Sequence, residues 1–142
     1  MNYIINNNTV YLKVKNEDVY VKEINNEMIL NENIIKVLNN SCIYYGSSLK
    51  GRILGAKSLI KSKYKLPLII SEKNNLFFIN IKDKNGYEYW FNFQYIKDYK
   101  YVDNLLKIFF IFDNFISINC SWTVFNNQML KCSRLYVVYS MR

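Results

Sequence analysis

YYGSSLKGRILGAKSLIKSKYKLP, residues 44–67, decides the fold class, because its apolar residues recur at helical spacing between two regions of strand alternation. At about 100° per residue, Leu49, Ile53, Ala56 and Ile60 fall within about 60° of arc, which predicts an amphipathic helix from about residue 48 to 62. Lys50, Lys57 and Lys61 form a neighbouring cationic stripe, and Gly51, Gly55, Ser58 and Ser62 a third made only of small residues. Glycine costs a helix roughly 1 kcal/mol against alanine, so the pair implies that something approaches that face closely. Pro67 forces an extended exit. The same segment holds six Lys or Arg and no acid. It therefore supplies +6 of the net +8, the flanking segments balancing at −1 and +3. A codon bias toward Asn, Ile, Lys and Tyr scatters lysines but does not clear acids from one stretch, so the clustering is the footprint of a polyanion binder.

Outward from this helix the pattern changes to strands. TVYLKVK at 9–15 alternates, with Val10, Leu12 and Val14 expected on one side and Tyr11, Lys13 and Lys15 on the other. A turn at Asn16, Glu17 and Asp18 leads into DVYVKEI at 18–24, and a second turn is expected at Asn25 and Asn26. The apolar run 34–38 leads to an expected break at Asn39 and Asn40, and 41–45 reads as a short strand. On the other side LPLIIS, NLFFINI and YEYWFNF read as strands, with turns at 73–75 and at KDKNG, where Asn85 and Gly86 suit a tight hairpin. LLKIFFIF and FISIN flank a two-residue hairpin candidate, Asp113 and Asn114. A second helix starts at Ser121 as its cap, with Trp122, Phe125, Met129, Cys132 and Tyr136 on one face and Lys131 and Arg134 projecting away. The expectation is one α+β domain over 1–142, mainly antiparallel sheet with a central basic helix and a C-terminal helix.

Composition narrows the function classes. The chain has no histidine, which removes the usual general base, imidazole-activated nucleophiles and the commonest metal ligand. Its eleven carboxylates are scattered. Residues 46–51 have the two glycines of a phosphate-binding GxxxxG loop, but Arg52 and Ile53 stand where that loop needs Lys and then Ser or Thr, so nucleotide hydrolysis is rejected. Ser47, Ser48 and their backbone N–H groups at the helix start remain candidates to hold a nucleic-acid phosphate. Cys42, Cys120 and Cys132 lack paired spacing and read as buried thiols, neither disulfides nor a zinc site. No secretion signal or membrane span is indicated, so a soluble cytoplasmic protein without cofactor, metal or small-molecule substrate is expected.

The run CIYYGSSLKGRILG closely resembles the signature of the competence transcription factor family, ComK, on Cys42, Tyr44, Tyr45, Gly46, Ser47, Ser48, Gly51, Arg52 and Gly55. The Lys-rich stretch before Pro67, the opening YIINNNTVYLKV and FNNQMLK at 125–131 extend the resemblance over nearly the whole chain. It implies a bacterial activator of DNA-uptake genes that binds paired AT-rich boxes, largely through the minor groove, as an oligomer of dimers acting with RNA polymerase. On that reading Arg52 probes the groove. Lys50, Lys57, Lys61, Lys63 and Lys65 contact phosphates, and Gly51 and Gly55 permit close approach. The family usually carries a further C-terminal arm, recognised for proteolysis, with no counterpart before Arg142; a short or divergent member is expected. Two other classes stay open. One is a non-DNA-binding interaction module that pairs with a full-length regulator, the other RNA binding through an aromatic sheet.

Overall fold

The computed structural model describes residues 2–62 and 65–142, so the expected phosphate contact Lys63 lies outside the described residues. Six antiparallel strands form the central layer: β1 (Thr9–Lys15), β2 (Asp18–Glu23), β3 (Glu27–Leu30), β4 (Leu68–Ser71), β5 (Leu76–Lys82) and β6 (Glu88–Asn92). Their order is β3-β2-β1-β6-β5-β4, two three-stranded meanders joined where β1 pairs β6. Two helices, α1 (Ile34–Tyr44) and α2 (Leu49–Ile60), connect the meanders. A second sheet, β7 (Ile96–Val102), β8 (Leu105–Phe110) and β9 (Phe115–Ile118), precedes the C-terminal helix α3 (Trp122–Ser140). The α+β class, the mostly antiparallel sheet and both expected helices are as the sequence indicated, and α1 is an addition.

Burial explains the two kinds of strand. In β5, Leu76 and Phe78 face a core shared with Val37, Leu38 and Cys42 of α1, while Phe77, Ile79 and Ile81 face a second core shared with Phe125, Cys132 and Leu135 of α3. A strand covered on both faces reads as an unbroken apolar run, whereas β2, half covered, keeps its alternation. Phe91 anchors the second core, with ring centroids of Tyr11, Tyr89, Phe110 and Phe125 at 5.6, 5.3, 6.4 and 5.8 Å. Truncating such a ring to alanine costs about 3–5 kcal/mol. Helix α2 closes the β4 edge: Leu49 and Ile53 join the α1 core, and Ala56, Leu59 and Ile60 the α3 core. One apolar stripe thus ties both cores together and turns the rest of the helix outward.

Several local expectations change. Thr9 pairs with Glu23 but Tyr11 with Lys22, so Val10 is a bulge residue and joins the α3 core, opposite to Leu12. Residues 41–45 end a helix and are no strand: Asn33 caps α1 by accepting from the Lys36 N–H at 2.8 Å, and Asn39 sits inside the helix. The KDKNG turn is a five-residue loop built on buried Asp83, whose carboxylate accepts from the N–H groups of Asn85 and Tyr87 at 2.9 Å each, with Gly86 at φ +87°. β8 ends at Phe110, whose N–H donates to the Asn114 carbonyl at 3.1 Å and closes residues 111–114 as the loop, while the Ile111 N–H still reaches the Tyr95 carbonyl at 2.9 Å. On α3 the buried face is centred on Phe125, Gln128, Cys132 and Leu135, and Trp122 remains 45% exposed.

Candidate nucleic-acid interface

The turn YYGSS has a defined mechanical task. Gly46, at φ +91°, ends α1 by donating its N–H to the Ile43 carbonyl at 3.0 Å while Ser47 N–H reaches the Cys42 carbonyl at 2.9 Å, the paired bonds of a Schellman close. A residue with a Cβ is strained at that φ, so glycine is required there. Two residues later Ser48 caps α2, its hydroxyl accepting from the Gly51 N–H at 3.0 Å. The Leu49 N–H donates to Asn39 Oδ1 of α1 at 3.0 Å, which fixes the angle between the helices. Tyr45 adds a hydrogen bond from its hydroxyl to the Ile5 carbonyl at 2.8 Å.

These bonds occupy several groups that the sequence offered to a phosphate. The Ser47 N–H and the Ser48 hydroxyl already have partners, as do the N–H groups of Leu49 and Gly51. Gly51 is small for an internal reason: a Cβ there would lie 3.2 Å from Ser48 Oγ and 3.3 Å from Ser47 Oγ. Gly55 differs, since a Cβ on it would meet nothing within 4 Å. Its bare backbone faces open space, beside exposed Ser58.

The basic residues divide between two flanks of α2. Lys50, Lys57 and Lys61 are exposed on one flank together with Leu54, which is 57% exposed. None of the three lysines has an ion pair among the described residues. Lys57 and Lys61 close the helix C-terminus, Lys61 in the left-handed conformation at φ +50°, where positive charge is favoured by the helix dipole. Lys65, also exposed and at φ +50°, follows shortly after. An apolar recess of about 660 Å³ between α1 and α2, floored by Leu49 and Ile53, is rimmed by Lys36, Lys50 and Lys57.

Arg52, expected to probe a groove, lies on the other flank. Its guanidinium donates to Glu72 Oε2 in the β4–β5 turn at 2.7 Å, and its side chain is 15% exposed against 42% for Glu72. Burial alone would raise the Glu72 carboxyl, but a backbone N–H and the Arg52 guanidinium outweigh it and hold the group below its ordinary value of 4.5. The same guanidinium lies near Cys42. Burial pushes the Cys42 thiol up to about 11, with Arg52 acting against that shift, so the thiol is protonated at neutral pH. All three cysteines are buried and free.

Sequence reasoning did not find the Arg52–Glu72 pair, because the two residues lie on separate elements with only the charge excess visible in one of them. It also passed over Asn39, taken as a break. The helical spacing from Asn33 to the buried Val37, Leu38, Ser41 and Cys42 was the available signal. No helix of the described residues is long and apolar enough to cross a membrane.

No curated protein and no solved structure matches the chain. A family model described as ComK protein matches residues 1–142, the stretch that includes the Schellman close, the Ser48 cap and the lysine flank. The chain belongs to the ComK family.

Proposed function

We propose that this chain is a DNA-binding transcriptional activator of DNA-uptake genes, acting in the cytoplasm and docking on AT-rich duplex through the outward flank of α2. The observation that supports the reading best is the set Lys50, Lys57 and Lys61, exposed on one side of a helix with no carboxylate partner among the described residues. Lysines so placed neutralise phosphates and release counterions, giving affinity that falls steeply with salt. A-tract minor grooves are narrow and strongly negative, so the same side chains gain most there, and selection is for AT over GC and for groove width. Lys65 would extend the contact along the backbone, and Gly55, at the far edge of the exposed face, would let the duplex approach the helix axis. Gly51, Ser47 and Ser48 serve the site by holding its shape. In this arrangement Arg52 reaches a groove only by giving up Glu72, and its role is to position α2 against the sheet.

Family membership further supports a homo-oligomer that recruits RNA polymerase at paired boxes. The test is a salt-resolved titration against two labelled duplexes of equal length, one with paired A- and T-tracts and one GC-rich. Binding to the AT duplex that persists at a salt concentration releasing the GC duplex is the expected result. Equal, wholly salt-labile binding would reduce the surface to generic charge, and no binding to either would favour an interaction module.

A further inference from the structure

The outer face of the β7–β8–β9 sheet has no task in the reading above. Its pairing register sets Lys100 opposite Lys107 in one row and Asp98, Phe109 and Phe115 side by side in the next. Like charges directly opposite on a sheet destabilise it, and neither lysine has an ion pair among the described residues. They lie instead on the rings: Lys100 Nζ is 5.2 Å from the Phe109 centroid, and Lys107 Nζ is 5.3 Å from Phe109 and 4.0 Å from Phe115. Phe115 is 52% exposed and its ring lies 6.2 Å from that of half-buried Phe109, so the two form an aromatic patch on an uncovered sheet face. Lys97 joins them around a recess of about 550 Å³, with Asp98 and Asp113 also lining it. The Asp98 carboxylate accepts from the Tyr99 N–H at 2.8 Å.

We infer that this face is a second binding surface, for single-stranded DNA, with unpaired bases stacking on Phe109 and Phe115 and Lys97, Lys100 and Lys107 neutralising the backbone. Two features select this occupant. Lysines in one row and phenyl rings in the adjoining row match a strand that carries charge along one edge and flat apolar bases along the other. A duplex keeps its bases stacked within itself and offers nothing to the rings, so the face complements a single strand and α2 a double one. Lys100 and Lys107 already show the ring affinity that a base would exploit, since both sit within cation–π distance and would exchange a ring for a phosphate.

The inference stands apart from the α2 reading and is tested beside it. Fluorescence anisotropy of a short labelled oligothymidylate is measured with the parent protein and with Phe115→Ala, Lys107→Ala and Lys57→Ala, each variant also titrated with the AT duplex. Phe115→Ala, at an exposed position, should weaken the oligothymidylate about tenfold and leave the duplex unchanged, one stacked base being worth about 1–3 kcal/mol. Lys107→Ala should lower the single-strand salt slope by about 0.7. Lys57→Ala should affect only the duplex. Four results would overturn the inference: no binding of the oligothymidylate, binding insensitive to Phe115→Ala, binding lost with Lys57→Ala, or Phe115-dependent binding of polyglutamate in its place. None of these depends on whether α2 prefers AT duplex.

Discussion

Helix α2 and the outer face of the small sheet each present three lysines without ion-pair partners among the described residues, yet what lies beneath the charges differs. On α2 the lysines stand next to exposed Leu54, Lys50 and Lys57 rimming an aliphatic recess, with Ser58 and then Gly55 further round the exposed face, where a Cβ on the glycine would meet open space and a rigid, highly charged rod can come close. On the sheet Lys100 and Lys107 lie over phenyl rings at 4.0–5.3 Å, and any ligand must accept the rings along with the charge. Counting lysines does not separate these surfaces. The floor under them does, because it decides whether the partner is read as a field or as a field plus flat apolar groups.

The sharpest way to break the comparison is to remove the helix charges together. The triple variant Lys50→Ala, Lys57→Ala and Lys61→Ala should lower AT-duplex affinity by about a hundredfold or more and reduce its salt slope by about three, leaving the oligothymidylate untouched. Electrophoretic mobility shifts over a salt series measure both. A triple variant that retained duplex binding would move that function elsewhere.

A smaller and more discriminating change is Gly55→Ala. With open space around the position, alanine should stabilise the helix by about 0.5–1 kcal/mol in urea unfolding while weakening the duplex. Stability and binding moving in opposite directions would separate a glycine kept for approach from one that is incidental. If both improved, close approach at Gly55 would be excluded.

The smallest effect is expected at the ion pair that sets α2 on the sheet. The Glu72 carboxyl titrates lower folded than unfolded, so its contribution is complete above the ordinary value of 4.5 and is lost as pH falls below it. Glu72→Gln should remove that part of the acid sensitivity and cost less than about 1 kcal/mol at neutral pH, because solvent screens a carboxylate 42% exposed. Thermal melts between neutral and mildly acidic pH measure it. Arg52→Ala should act in the same window and weaken AT and GC duplexes alike. A selective loss of AT preference would return Arg52 to the groove.

Much of this was legible in the sequence where one period dominated. The α2 stripe of Leu49, Ile53, Ala56 and Ile60 could be read directly because the helix is covered on one side only, and β2 kept its alternation for the same reason, whereas β1 departs from it at the Val10 bulge. Helix α1 was missed because Asn39 and Asn40 carry turn propensity, which tertiary bonding overrides: Asn39 takes the first N–H of α2. β7 was missed because it is largely exposed and mixes Lys, Asp and Tyr. Asp103 and Asn104, both at positive φ between Val102 and Leu105, were the two-residue hairpin signal that marks it. At the site, the lysine flank followed from helical spacing, but the tie of Arg52 to Glu72 depends on how the β4–β5 turn meets α2, which no local pattern encodes.

The most direct test of the division between the two surfaces is lysine footprinting. Amine acetylation is quantified residue by residue by mass spectrometry, with the protein free, bound to AT duplex and bound to oligothymidylate. The account predicts that the duplex protects Lys50, Lys57 and Lys61 and leaves Lys97, Lys100 and Lys107 reactive, and that the single strand gives the reverse. Duplex protection of the sheet lysines with α2 still reactive would contradict it.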